Sequence, residues 1–244
     1  MLIYELDNDP MRKTRITALI IAALMPLGMK AQDTVETAIS ADIVSQYIWR
    51  GQELGKASLQ PTLGVSYKGI SLSAWGSVGL SEPSDSRELD LTLGYEYEGL
   101  SLGITDYWFD EDRYFLYKAE ATPHVFEAYA GYDFGFASLA WYTNIGGADG
   151  LNPSGKTAYS SYFELGVPFQ LGGVDFTASL GAVPYATDFY SGSEEGFALV
   201  NASLMACKEI SVSDSFSIPV FAGICTNPAI GTAHLVFGLT ISAF

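Results

Sequence analysis

The chain has 244 residues, of which 48% are hydrophobic and 16% are charged, and its net charge is −16. That acidic balance argues against nucleic-acid binding, which requires basic stripes. The 25 glycines, 15 tyrosines and 14 phenylalanines favour β-strands joined by tight turns. No stretch after residue 32 stays apolar for about 18 residues, the length of a spanning helix, so the mature chain could cross a membrane only as a β-barrel.

The only long apolar stretch is N-terminal, and we predict that it is a secretory signal peptide. A basic segment at 11–15 precedes an apolar core at 16–27, and Ala31 offers a small residue for cleavage. Met1 and Met11 are both possible starts of translation. The chain is therefore predicted to have two parts, an N-terminal extension with the signal peptide at 1–32 and a single β domain at 33–244.

Beyond residue 33 the chain alternates between apolar and polar residues, as β-strands with two different faces do. In the segment 89–97 every odd position is leucine or tyrosine, whereas Asp90, Thr92 and Glu96 lie between them. Twelve strands of this kind are predicted. Their spans are 36–49, 58–68, 70–80, 88–98, 100–108, 122–133, 136–145, 158–170, 174–184, 197–208, 216–226 and 230–244.

The connections between these strands are short and long in turn. Short turns are predicted at Lys68-Gly69 and Glu98-Gly99, where glycine supplies the positive φ of a two-residue hairpin. Long connections include 50–57 and 109–121. Such an order is typical of outer-membrane barrels, whose short turns face the periplasm and whose long loops face outside. The predicted fold is therefore all-β, a transmembrane antiparallel up-and-down β-barrel of about 12 strands.

The two cysteines are predicted to be free thiols. A hairpin turning near residue 212 would place Cys225 opposite residue 199, eight residues from Cys207 along that strand. Eight residues span about 26 Å at about 3.3 Å per residue. A disulfide needs Cα atoms within about 7 Å, so the pairing is not expected.

Four segments together resemble the TorF family of porins. Residues 45–51 read Ser-Gln-Tyr-Ile-Trp-Arg-Gly and look like its S-N-Y-x-F/W-R-G signature. The family's E-x-D-x-x-x-G-Y and E-x-Y-x-G strands are similar to 88–95 and 127–131, and a later hairpin is similar to 162–181. The resemblance covers about residues 40–182 and lies in the order of the motifs more than in any one of them. It implies an outer-membrane barrel that forms a pore, without naming a solute.

The polar face of each predicted strand would line the lumen. Acids outnumber bases there, which favours cations by Coulomb attraction, while Trp75 and Tyr162 would narrow the passage. Eight strands leave room only for side chains and sixteen leave a wide channel, so twelve are compatible with either an open or a plugged lumen. The predicted pore-lining residues are Asp42, Gln46, Arg50, Lys68, Trp75, Asp90, Glu96, Glu127, Tyr162, Glu164 and Asp175.

The predicted function is a narrow passive channel for small cationic or neutral solutes in the outer membrane of a Gram-negative-type bacterium. The alternative is a closed structural or surface-interaction barrel without conductance. Expected partners are outer-membrane lipid and lipopolysaccharide, the outer-membrane assembly machinery and small solutes, with no nucleic acid and no cofactor. Arg50 is either a selectivity residue or, as the sequence favours, the structural partner of a lumen acid.

Enzymatic activity and a metal site are not expected. The chain has only two histidines, His124 and His234, and neither has a serine or aspartate at a spacing that suggests a catalytic pair. The acids of the 106–120 connection could bind Ca²⁺, but they lack the EF-hand spacing, so a solvated acidic loop is the favoured interpretation.

Overall fold

Twelve antiparallel strands close into one barrel in the computed structural model, which describes residues 34–81, 87–109, 113–118, 121–152, 154–190, 196–213 and 216–242. The predicted count of twelve is confirmed. The predicted signal peptide and most acids of the 106–120 connection lie outside the described residues. The barrel strands are β1 (Glu36–Val44), β4 (Ser58–Tyr67), β5 (Ile70–Gly79), β6 (Arg87–Tyr97), β7 (Leu100–Trp108), β8 (His124–Asp133), β9 (Ser138–Gly147), β10 (Ser161–Leu171), β11 (Val174–Val183), β12 (Ala198–Ser213), β13 (Phe216–Asn227) and β14 (Thr232–Ser242).

Every barrel strand pairs with its neighbours in the chain, and β1 closes the ring. On one side Asp42 lies opposite Gln60 of β4, and on the other it lies opposite Thr240 of β14. A separate two-stranded sheet, β2 (Tyr47–Trp49) and β3 (Gln52–Gly55), interrupts the chain between β1 and β4. The prediction that the first strand runs to residue 49 is therefore wrong, because the chain leaves the wall after Val44.

The two-residue period separates an outer apolar surface from an inner polar one. On β6, Leu91, Leu93 and Tyr95 are exposed, while Asp90, which points to the other face, is buried. The same division recurs on β4, where Leu63 is 55% exposed and Gln60 only 8%. Large apolar side chains therefore cover the outside of this barrel, and polar groups fill its inside. No helix among the described residues has the length and apolar character needed to cross a membrane.

Two-residue turns join several strands at one end of the barrel, as predicted. Lys68-Gly69 and Glu98-Gly99 have positive φ at both residues, 51° and 84° in the first turn and 47° and 88° in the second. That is the conformation of a type I′ turn, whose twist matches the twist of the flanking strands. We call this end, which also carries both termini of the barrel, the turn end, and the opposite end the loop end.

The cysteines are free, as predicted, although the predicted register was wrong by four residues. β12 continues to Ser213, so that Cys225 lies opposite Ser203 and Cys207 lies opposite Phe221. The separation of four residues along β12 is still about 13 Å at 3.3 Å per residue, too far for a disulfide.

Candidate functional site

The segment 45–57, which we call the lumen hairpin, folds into the barrel and reaches its far wall. Its strands β2 and β3 pair with each other, and Tyr47 and Trp49 are less than 10% exposed. A Cβ atom added at Gly51 would overlap the carbonyl oxygen of Val200 on β12. The hairpin starts from β1 and ends at β4, and its tip also bonds to Glu127 on β8, on the far side of the ring, so it extends across the lumen.

The tip of the lumen hairpin is the dipeptide Arg50-Gly51. The φ angles of Arg50 and Gly51 are 50° and 78°, and the residues that flank them, Trp49 and Gln52, pair with each other. This is the same turn geometry as at Lys68-Gly69 and Glu98-Gly99. A positive φ costs a residue such as arginine about 1–2 kcal/mol, so other contacts must hold Arg50 in place.

Those contacts form a charged and hydroxylated network around the Arg50 guanidinium. Its Nη1 and Nη2 atoms donate to the two carboxylate oxygens of Glu127 on β8, at 2.5 and 2.9 Å, and Nη1 also donates to the Tyr190 hydroxyl at 2.6 Å. The Tyr107 hydroxyl donates to the same carboxylate at 2.8 Å. The side chains of Arg50 and Glu127 are only 6% and 1% exposed. The predicted pairing of Arg50 with a lumen acid is therefore confirmed, and a bidentate geometry makes the pair specific.

Aromatic rings enclose the guanidinium. The Cζ atom of Arg50 lies 3.9 Å from the ring centre of Tyr142, 4.4 Å from Trp49 and 4.8 Å from Tyr162, within the range of cation–π attraction. Tyr190 stacks on Trp49 with ring centres 5.9 Å apart. Burial raises the pKa of the Tyr190 phenol in spite of the nearby guanidinium, so the ring remains neutral. The lumen hairpin, the wall and the segment 184–190 thus meet at one buried contact.

Glycines on the inner wall make room for these rings. A Cβ atom at Gly181 would overlap Tyr162, and one at Gly103 would overlap Tyr129 on the neighbouring strand. The tyrosine rings therefore lie flat against the wall where a neighbouring strand carries no side chain. The Tyr162 hydroxyl donates to Glu164 at 2.7 Å and accepts from the Asn201 amide at 3.2 Å, which fixes the ring in that position.

A cavity of about 180 Å³ adjoins the lumen hairpin inside the barrel. One part of its lining is polar and includes Asp42, Gln60 and Glu164. Another part is apolar and is formed by the inward side chains of β1, β12, β13, β14 and the hairpin. These apolar residues are Val44, Ile48, Met205, Phe221, Cys225 and Val236.

The structure places most of the predicted lumen residues in the barrel interior, but only some of them line the cavity. Asp42, Gln46, Arg50, Trp75 and Glu164 all line the cavity. Asp90, Glu127 and Tyr162 are buried elsewhere in the interior, and Glu96 is half-buried on β6. Lys68 and Asp175 lie near the turn end, Lys68 in the β4–β5 turn and Asp175 beside Gln170 at 2.9 Å.

Sequence reasoning missed the hairpin and the apolar part of the cavity, although both left signals. Arg50-Gly51 repeats the pattern of the two turns that were predicted, a charged residue followed by glycine. The segment 219–225 is apolar at every position, which a strand with one lipid face and one aqueous face would not require. Phe221 and Cys225 were therefore available as candidate lining residues.

His124 anchors the 113–118 segment at the loop end. Its Nε2 atom faces the Tyr114 carbonyl oxygen at 2.6 Å and its Nδ1 atom faces Asp106 at 2.7 Å. His234 lies 3.9 Å from Glu53 of the lumen hairpin. Among the described residues no group of three or more histidine, cysteine or acidic side chains is placed to hold a metal ion.

Neither the scan against protein-family models nor the search of curated proteins found a match to this chain. The interpretation of the lumen therefore depends on its own geometry.

Proposed function

We propose that this chain is an outer-membrane β-barrel that forms a narrow passive channel, constricted by the lumen hairpin and preferring small cationic or neutral solutes. The exposed leucine and aromatic side chains of the outer face support a location in lipid. Soluble monomers rarely expose contiguous apolar patches larger than a few hundred Å². The resemblance of residues 40–182 to the TorF porins fits the same proposal, which assigns the chain no catalytic activity.

The observation that carries the channel proposal is that a twelve-stranded barrel is wide, while the lumen hairpin narrows it. Eight strands can be filled by side chains alone, but twelve enclose more space. Here one folded-in segment, held by Arg50 and Glu127, occupies that space near the loop end. The turn end is lined by small side chains on several strands. They include Ser40, Gly64, Ser66, Ser71, Ser73, Gly94 and Gly131.

The charges of the interior support a preference for cations. Arg50 is neutralised by Glu127, whereas Asp42, Glu88, Asp90 and Glu164 are further inward carboxyl groups with no basic partner among the ion pairs of the described residues. A passage lined by one sign of charge raises the local concentration of the opposite ion. Neutral solutes small enough to pass the hairpin would not be rejected.

Planar-bilayer recording on the refolded protein tests this proposal. We expect small unitary conductance and a reversal potential in a KCl gradient that indicates K⁺ preference. The double variant Asp90→Asn/Glu96→Gln should shift that potential towards zero, because it removes two lumen carboxylates. The exposed-turn variant Glu98→Gln, which also removes one acid, is the matched control and should leave the potential unchanged.

Correctly folded protein that gives silent bilayers would contradict the channel proposal. That result would favour the closed barrel, for which the fully buried Arg50–Glu127 pair is the specific supporting observation. If channels form but the double variant has the same reversal potential as the wild type, only the selectivity argument is contradicted.

A further inference from the structure

We propose that the cavity beside the lumen hairpin is a binding site for a small organic cation that carries an apolar body, such as an arylalkylamine. This deepens the proposed channel function by naming a solute class, but binding can be measured without conduction. A cavity of about 150 Å³ holds benzene, so a volume of about 180 Å³ suits a ring that carries a short ammonium chain.

The polar side of the cavity supplies the negative charge. Asp42 is 8% exposed and accepts a hydrogen bond from the Thr240 hydroxyl at 2.6 Å. Glu164 accepts one from the Tyr162 hydroxyl at 2.7 Å. Hydroxyl donors fix the position of these two carboxyl groups, and a cation bound within about 4–6 Å of a carboxyl group favours its charged form. The base that lines the same cavity, Arg50, is already held by Glu127, so both carboxylates can attract an ammonium group.

Aromatic faces beside these carboxylates favour a cation over a neutral donor. Trp75 and Tyr47 line the cavity with ring centres 5.4 Å apart and inclined at 56°. Tyr142 lines the cavity as well, and its ring centre lies 3.9 Å from the Cζ atom of Arg50. A cation within about 6 Å of such ring centres is attracted by their negative faces.

The apolar side of the cavity requires a ligand with an apolar body. Phe221 and Val236 are less than 8% exposed and form one cluster with Val44, against which Ile48, Met205 and Cys225 pack. The strands β12, β13 and β14 thus present apolar side chains to the lumen as well as to the outside. A hydrated inorganic ion gains nothing from that surface, whereas an aromatic or aliphatic body gains about 25 cal/mol per Å² of apolar area buried.

The binding experiment uses the full mature chain refolded in detergent micelles. Trp49 and Trp75 both line the cavity, so tryptophan fluorescence reports on its occupation. The probes are 2-phenylethylammonium and its neutral and anionic analogues 2-phenylethanol and phenylacetate. We expect saturable binding of the ammonium probe at least tenfold tighter than of the alcohol, and no binding of phenylacetate.

Two variants locate the site. Asp42→Asn should weaken binding of the ammonium probe about tenfold or more, since a charged hydrogen bond is lost. Glu98→Gln, at an exposed turn, should leave it unchanged. Val236→Thr keeps the shape of the side chain but adds a hydroxyl to the apolar wall. It should weaken the binding of 2-phenylethylammonium and of 2-phenylethanol by the same factor.

Labelling of Cys225 provides a second measurement. In the Cys207→Ser variant, Cys225 is the one remaining thiol of the chain. A cationic thiol reagent should label it faster than an anionic one, and 2-phenylethylammonium should protect it. Equal binding of all three probes, or protection that survives Asp42→Asn, would overturn the proposal. Cation binding by a protein that is silent in bilayers would support this site while contradicting the channel.

Discussion

The loop end and the turn end of this lumen are built from different residues, although the same strands line both. Near the loop end tyrosine, tryptophan and arginine meet at one buried contact, with Glu127 only 1% exposed. Towards the turn end the inner wall carries serine and glycine, and the serines at positions 40, 66, 71 and 73 are half-buried. The comparison indicates that strand number sets the width of the barrel, while a single folded-in segment decides how much of that width stays free.

Removing the counter-charge of the hairpin tip should have the largest effect on stability. Glu127→Gln leaves the Arg50 guanidinium buried without a counter-charge, and breaking a buried ion pair costs about 3–5 kcal/mol in the free energy of unfolding. Urea titration in lipid vesicles measures this loss. The matched control Glu98→Gln, at an exposed turn, should change the free energy by less than about 0.5 kcal/mol.

A double variant sharpens this test. In Arg50→Met/Glu127→Met both members of the ion pair are replaced by apolar side chains, so neither charge of the pair is left without its partner. We expect it to recover most of the stability that Glu127→Gln loses. A double variant as unstable as the single one would mean that shape, rather than charge, holds the hairpin tip.

The second largest effect is expected at the contact between the tip of the lumen hairpin and β12. Gly51→Ala requires a strained φ of 78° and also places a methyl group against the Val200 carbonyl. Gly172→Ala is the matched control, because its φ of 61° is strained too but nothing lies within 4 Å of the added carbon. Both should lose about 1–2 kcal/mol from φ strain, and only Gly51→Ala should lose more and expose Trp49 to a fluorescence quencher.

A smaller effect is expected where a ring lies over a glycine of the wall. Gly181→Ala would push Tyr162 away from Glu164 and Asn201, at a cost of about 1–3 kcal/mol for overpacking. Gly146→Ala, whose added carbon would meet only Phe126 at ordinary contact distance, is the control. If the two variants have equal free energies of unfolding, the position of the Tyr162 ring does not require a glycine at position 181.

The smallest effect on the whole barrel should come from the loop end, outside the lumen. His124→Ala removes the bonds to Asp106 and to the Tyr114 carbonyl, which hold the 113–118 segment. We expect faster amide hydrogen exchange in that segment and no change in the exchange of the lumen hairpin. Faster exchange at Trp49 as well would show that the two regions are coupled.

The strands of this barrel could be predicted from the sequence because a two-residue period and glycine turns are local signals. The alternation in 89–97 and the turn at Lys68-Gly69 need no knowledge of distant residues. The lumen hairpin could not be predicted in the same way. Tyr47, Ile48 and Trp49 continue the pattern of β1, and only contacts with Glu127, Tyr190 and Val200, far away in the chain, draw them inwards.

The candidate site was predictable only for its polar half. Asp42 and Glu164 lie on the polar phase of their strands and were expected in the lumen. Phe221 and Val236 were not, because an apolar residue on the inner face looks like any strand residue until the cavity that it lines is seen.

The most direct test of this account compares the conductance of the wild-type barrel with that of a variant in which residues 46–56 are replaced by a short Gly-Ser turn. Both proteins are refolded, checked for a closed barrel by circular dichroism and protease resistance, and recorded in the same planar bilayer. Because the lumen hairpin occupies the space that twelve strands enclose, we predict a severalfold larger unitary conductance for the variant. Equal conductance in the two folded proteins would contradict the claim that this segment constricts the lumen.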